Sequence, residues 1–337
     1  MKTLYFICPH NKFVTGGVKQ IYRQVDILNK NNIKAYIVHK KKGQKANWLN
    51  NHSQNIINNR NIFKILQSNK KINFIEKIKS RFYHKYFDFD ISDGILVIPE
   101  IYGSNICNVN QEYIIYNQNC YYTFNDFKLN KNPYETALHL GTIINSLDGL
   151  NYLQSAFSLE KLHRITLGID VNLFKYKKKE HRKIAYMPRK LNEDVNQVIN
   201  LLKLRNKINN WEFVEIDNLT ELEVTNCLQD SAIFLSFSHK EGLGLPPMEA
   251  MSTGCVVIGY HGQGGREFFN EDFSYTIDYC DIIKFVITIE YVCEMFDNNF
   301  TNFENISKMA SDFINKNYNI EIEEQSTLQI YSKLLKH

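Results

Sequence analysis

The sequence predicts an α/β protein built from two doubly wound domains, and three observations carry that expectation. The chain has 337 residues, about twice the usual domain size. Short apolar runs alternate with segments of helical periodicity, a pattern that implies parallel strands joined by crossover helices. The alternation breaks once and then restarts in the second half of the chain. Hydrophobic residues make up 44% and charged residues 23%, the balance of a folded globular chain and not of a disordered or collagen-like one.

The elements follow in order. An apolar run over residues 3–9, ending at Cys8-Pro9-His10, reads as the first strand. Gly16-Gly17 supply a turn, after which Val18, Ile21, Tyr22, Val25 and Leu28 recur at helical spacing. Further strands are expected at Lys34–His39, Gly94–Pro99, Tyr113–Tyr116 and Thr142–Ser146. The polar, basic stretch Lys175–Arg182 interrupts both periodicities and has little to bury, which places the joint there: a first domain over 1–174 and a second over 175–318. In the second domain, strands at Lys183–Met187, Trp211–Ile216, Ala232–Ser238 and Cys255–Tyr260 alternate with helices at Asn192–Lys207, Thr220–Asp230 and Pro246–Ser252. A short helix is expected near Gly265–Phe269, and the tail reads as helix from Asp281 onward, with about 319–337 packing back on the first domain. Two such domains facing across a cleft would bring the carboxyl ends of both sheets, where these folds bind ligands, to one crevice.

Charge and cysteine content exclude several classes. A net charge of +4 is too small to argue for nucleic acid as a partner. The seven cysteines include no C-x-x-C pair and read as reduced, mostly buried thiols of a cytoplasmic protein. The apolar run before Pro9 is too brief for a signal peptide, and no run approaches the ~18 apolar residues of a membrane span. Within 54–90, Ile72, Ile75, Ile78 and Phe82 fall at near-helical spacing, opposite Lys70, Lys71, Lys77, Lys79, Arg81 and Lys85. This segment, 70–85, is either an ordinary surface helix with a solvated lysine face or a basic amphipathic helix in peripheral contact with the inner face of an anionic membrane.

The informative segment runs from Ser236 to Tyr260 and contains Glu241-Gly242-Leu243-Gly244-Leu245-Pro246-Pro247-Met248-Glu249-Ala250-Met251, then Gly254. Glycines let backbone amides approach a ligand, and the prolines start a helix. Glu241 and Glu249 therefore bracket a set of exposed amides. Carboxylates accept hydrogen bonds from hydroxyls, and amides at a helix start favour an anion, so a hydroxyl-rich, phosphate-bearing ligand would satisfy both. The plain alternative, a helix-capping Glu249 beside a solvated Glu241, needs neither glycine.

This block, followed by Gly262-Gln263-Gly264-Gly265-Arg266-Glu267, resembles the E-x7-E signature of retaining GT-B glycosyltransferases of family 4. The resemblance implies the GT-B fold and a nucleotide-sugar co-substrate with no other cofactor and no metal. It also implies a glycan or lipid-linked acceptor in bacterial-type surface polysaccharide or glycoconjugate synthesis. By it the first domain is the acceptor side and the second the donor side. Glu241 would hold the donor sugar and Glu249 the ribose, with Gly242, Leu243, Gly244 and Leu245 near sugar and phosphates. Gly16 and Gly17 match the glycine turn that approaches the donor phosphates or the acceptor, and Leu167-Gly168-Ile169-Asp170 is similar to the turn that closes the first domain. Arg189, in Met187-Pro188-Arg189-Lys190, falls where the family places a cation on the diphosphate. His239, beside the motif, is a candidate contact to the sugar.

Two departures are visible. The second lysine expected near Val195 is absent, so Arg189 and Lys190 must supply the positive charge. The first-domain histidine is replaced by Tyr116-Asn117-Gln118-Asn119, which leaves Asn117 or Asn119 as candidate sugar or acceptor contacts, with Glu100 beside them. These departures keep open a non-catalytic nucleotide- or glycan-binding subunit. A dinucleotide oxidoreductase would need G-x-G-x-x-G after the first strand, which is missing. Asp88-Phe89-Asp90 has the letters of a metal-binding D-x-D but precedes a strand. The base site is expected past Ile216-Asp217-Asn218.

Overall fold

A computed structural model describes residues 2–11, 15–46, 55–67 and 89–336. The basic segment 70–85 and Asp88 lie outside the described residues. The chain divides into two compact units: Met1–Asn145, Gly149–Ile165 and Glu324–His337 form unit 1, and Ser146–Asp148 with Thr166–Glu323 form unit 2.

Unit 1 carries, among the described residues, a seven-stranded parallel sheet: β1 (Leu4–Ile7), β2 (Ala35–His39), β3 (Ile56–Asn58), β4 (Ile95–Pro99), β5 (Tyr113–Asn117), β6 (His139–Ile144) and β7 (Leu162–Arg164), in the order β3-β2-β1-β4-β5-β6-β7. Every residue of β1, β4 and β5 is buried, as befits inner strands covered on both faces, which read as unbroken apolar runs. Helix α1 (Gly16–Lys30) buries Val18, Ile21, Tyr22, Val25 and Leu28, the stripe that the spacing predicted. Helices α2 (Arg60–Leu66) and α3 (Leu147–Gln154) are short. The order reverses between β1 and β4, whose following segments diverge there to opposite sides. Such a switch point leaves a crevice at the carboxyl ends of the strands.

Unit 2 repeats the plan with β8 (Lys183–Tyr186), β9 (Glu212–Glu215), β10 (Ile233–Glu241), β11 (Val256–Gln263) and β12 (Ser274–Thr276), parallel and ordered β12-β11-β10-β8-β9. Its helices are α4 (Asn192–Arg205), α5 (Glu221–Asp230), α6 (Leu245–Ser252), α7 (Ile282–Asn298) and α8 (Phe300–Asn317). Thr220 and Glu223 close a capping box at the start of α5, while buried Lys179 donates to the Leu228 and Gln229 carbonyls at its other end, at 2.8 and 3.2 Å. Each satisfies backbone groups that a helix terminus leaves without partners. The switch point of this sheet lies between β8 and β10.

The crossing between units falls at Ile165/Thr166, ahead of the polar stretch 175–182. Residues 166–174 are tied into unit 2: the Ile169 amide donates to the Tyr318 carbonyl at 2.7 Å, and Ser252 Oγ to the Phe174 carbonyl at 2.8 Å. The last helix, α9 (Ile320–Leu334), begins in unit 2 and ends in unit 1. Its second half buries Tyr331 and Leu334, with the Tyr331 ring 5.9 Å from Phe6. Glu324 accepts from Lys30 and Asn31 at the end of α1, at 3.0 and 2.9 Å. No disulfide forms among the described residues; Cys8, Cys120, Cys255 and Cys293 are buried and Cys280 is exposed.

Candidate active site

In unit 2 the switch point is where the motif residues gather. The chain leaves β8 through the turn Met187–Lys190, with Leu191 in the left-handed region (φ 49°) at the start of α4. Beside it, β10 does not stop at Ser238. It stays paired with β11 through Ser238↔His261 and then, after a register shift, Glu241↔Gln263. That irregularity re-aims the end of the strand, and it turns an expected loop residue into a strand-end carboxylate. Lys190 Nζ meets Glu241 Oε1 at 2.5 Å, the two side chains being 35% and 23% exposed. One charged pair thus spans the two segments that diverge at the switch point.

After Glu241 the chain makes a tight passage. Gly242, Leu243 and Gly244 are buried, and Gly244 caps α6 with φ 98°, a conformation that side chains other than glycine's resist. A Cβ on Gly264 would lie 2.3 Å from the Gly242 carbonyl oxygen, so the turn after β11 can press on this loop only as glycine. Pro246 and Pro247 occupy the first turn of α6, and no side chain caps the helix, whose start therefore presents the positive end of its dipole. Glu249 lies farther along the same helix, 8% exposed. The His239 ring stacks on Tyr279 at 4.9 Å. Arg189 is exposed in the turn after β8. The structure therefore brings Lys190 and Glu241 into contact and sets Gly242–Leu245 and Glu249 directly after them in the chain. Tyr279, the partner of His239, was not visible in the sequence, because it lies outside any motif.

In unit 1 the remaining candidates form a second group. Gly16 and Gly17 begin α1. Gln118 Nε2 donates to the Gly17 carbonyl at 2.9 Å, a link the sequence did not disclose although Gln118 stands inside the quartet 116–119. Glu100 is 3% exposed, and its two carboxylate oxygens accept the amides of Gln118 and Asn119, each at 3.1 Å. Burial pushes its carboxyl up to about 7, against the opposing pull of those amides. Asn117, buried, donates to Thr123 Oγ1 at 2.7 Å and to the Tyr134 hydroxyl at 3.1 Å. Asn119 Oδ1 accepts the Tyr121 amide at 3.1 Å. Glu100, Asn117 and Asn119 thus fix the backbone that follows β5.

Two parallel-sheet α/β units followed by a helical tail make this a GT-B fold, and comparison with known proteins agrees. Residues 192–302, within unit 2, match the family described as glycosyl transferases group 1. The chain is 25% identical over 353 residues to an alpha-1,6-glucosyltransferase of Actinobacillus pleuropneumoniae serotype 7 (strain AP76), covering 98% of this chain and 94% of that one. Among solved structures it is similar to a sucrose-phosphate synthase from Thermosynechococcus elongatus (TM-score 0.68, 13% identity, all of both chains). It is also similar to a mutant of S. aureus TarM in complex with fondaparinux, alpha-GlcNAc-glycerol and UDP (TM-score 0.66, 14% identity, all of both chains). Among the described residues no helix is long and apolar enough to cross a membrane.

Proposed function

We propose that this protein is a retaining, metal-independent glycosyltransferase that moves a glucosyl group from a nucleoside diphosphate, UDP in the first instance, to a glycan or lipid-linked acceptor in surface polysaccharide or glycoconjugate synthesis. Glycosyl transfer as a class is supported by the match over 192–302 and by the relative's printed activity. Glucose is suggested by that relative, and UDP by the ligand held by the TarM mutant. The observation that carries the reading is the Lys190–Glu241 pair at the switch point of unit 2, followed directly by the uncapped start of the helix that bears Glu249.

In this reading Glu241 accepts hydrogen bonds from the sugar hydroxyls and Glu249 from the ribose. Arg189 and Lys190, with the amides of Gly242–Leu245, stabilise the charge that grows on the diphosphate as the C1–oxygen bond breaks. His239 lends a further contact to the sugar. Gly16 and Gly17 serve the donor phosphates or the acceptor, and the loop fixed by Glu100, Asn117 and Asn119 serves the acceptor. The acceptor oxygen bonds C1 on the face that the diphosphate leaves, and its proton passes to the departing phosphate oxygen, so no separate base is required.

A thermal shift with UDP, GDP, ADP, CMP and dTDP tests the donor site. Ligand at 100 times its dissociation constant adds about 2.7 kcal/mol of stability. One nucleoside diphosphate, UDP, is expected to stand out, and Glu249→Ala to abolish its effect. No shift with any of them would overturn the reading in favour of a non-catalytic subunit.

A further inference from the structure

Unit 1 exposes large apolar side chains, two of them aromatic, in the segment that follows β5. Tyr122 is 42% exposed, Phe124 45% and Leu129 92%. Exposed aromatic area clustered in one place marks a binding surface more often than scattered apolar residues do. Tyr122 is held through its backbone, its amide donating to the Asn119 carbonyl and its carbonyl accepting the Asn125 amide, each at 3.0 Å, and Phe124 is held through its ring. The Phe124 ring lies 5.2 Å from Phe127 and 6.1 Å from Tyr152, and Tyr152 lies 5.5 Å from Tyr121.

The loop beneath them is latched. The Lys128 amide donates to Ser104 Oγ at 2.6 Å, and the Ser104 amide to the Asp126 carbonyl at 3.2 Å. Asp126 itself sits at φ 54°, a strained conformation that these bonds hold in place. Its upstream end is fixed by Asn117 and Thr123, immediately after the carboxyl end of β5. The carboxyl ends of a parallel sheet are the side on which such folds bind ligands.

We propose that Tyr122 and Phe124 form a preorganised shelf on which a neutral glucan acceptor chain stacks. The chemistry selects this occupant. The C–H faces of a pyranose are apolar and carry slight positive charge, which suits the negative face of an aromatic ring. The hydroxyls around the sugar's edge find hydrogen-bonding groups in Asn125, Asp126 and Asn130, all exposed in the same segment. The charges of residues 120–137 are Asp126, Lys128, Lys131 and Glu135, which cancel. An anionic lipid surface draws on an excess of basic residues, whereas a neutral polyol does not. A shelf already fixed by its own hydrogen bonds loses little freedom on binding.

This inference rests on the glucosyl-transfer reading for the identity of the chain, and the test separates the two. The full-length protein is run through gels containing dextran, an α-1,6-glucan, as wild type, Tyr122→Ala/Phe124→Ala, Tyr122→Phe/Phe124→Tyr and Leu129→Ser. In parallel, the UDP thermal shift and binding to phosphatidylglycerol vesicles are measured. Dextran should retard the wild type, the ring-preserving variant and Leu129→Ser alike. The double alanine variant should bind it at least about tenfold more weakly, with the UDP shift unchanged. Equal retardation of all four proteins, or none of the wild type, overturns the shelf. Vesicle binding lost in the double alanine variant and in Leu129→Ser, without dextran retardation, overturns it in favour of a lipid surface. A shelf that behaves as expected in a protein that UDP leaves unshifted would sink the donor reading and spare the shelf.

Discussion

Glu241 and Lys190 meet at 2.5 Å because two strands that are neighbours in space, β8 and β10, are far apart in sequence. Each residue was readable as a site candidate from its motif; their contact was not, since it depends on strand order. Removing a preorganised group that stabilises developing charge costs ~10²–10³ in rate. Arg189→Ala should lower kcat by that order in a steady-state assay, and Glu241→Ala, which removes the acceptor for the sugar hydroxyls and the partner of Lys190, should lower it too, each with the fold intact by circular dichroism. Wild-type kcat in Arg189→Ala would refute its assignment to the diphosphate. Glu100 acts at the same scale through protonation. Its folded value of about 7 lies above the ordinary 4.5, so between those limits the folded protein holds a proton that the unfolded chain has lost. Stability from this group is complete below pH 4.5 and falls as pH rises through 7, by about 3 kcal/mol in all. Buried His39 and His139, held neutral down to about 4, slope the other way, gaining stability as pH rises from 4 to 6.5. Glu100→Gln shares those histidines, so the difference between the two proteins in urea unfolding at pH 5 and pH 8 should isolate Glu100. The wild type should lose stability relative to Glu100→Gln on going to pH 8; an unchanged difference would contradict this.

At the scale of elements, the inner strands were legible as unbroken apolar runs and the long helices by their periodic burial, and the ends and edges were not. β3, β7 and β12 span three residues each, too few for a period to show. The 3-10 segment Glu100–Asn108 turns on Gly103, at φ 48°, and no apolar repeat signals it. β10 runs on to Glu241 only because a register shift carries its pairing past Ser238. By contrast, the start of α6 was written plainly in glycines and prolines. Gly264 guards that start: the Gly264→Ala Cβ would fall 2.3 Å from the Gly242 oxygen, and backbone must move, at a cost of about 1–3 kcal/mol. Gly264→Ala should therefore lower the thermal midpoint and also weaken the UDP shift, because the displaced loop carries the amides proposed to serve the donor. A loss of midpoint with an undiminished UDP shift would mean that these amides do not serve the donor.

At the scale of the molecule, the division into two α/β units was legible from the restart of the strand and helix alternation. The place of crossing depends on contacts that composition does not reveal, such as the Ile169 amide on the Tyr318 carbonyl. The same holds for α9, where Glu323 accepts the Gly168 amide in unit 2 while Glu324, the next residue, accepts Lys30 and Asn31 in unit 1. The helix expected from the sequence to pack back on the first domain thus takes part in both units. The chemistry proposed for the whole chain is a transfer that retains configuration at C1 and needs only the groups that these units carry. NMR of the product formed from UDP-glucose and dextran in the presence of EDTA tests that most directly. An α-linked glucosyl product, formed at the same rate without EDTA and lost in Glu241→Ala, is the expected result. A β-linked product, or no consumption of UDP-glucose by folded protein, would contradict it.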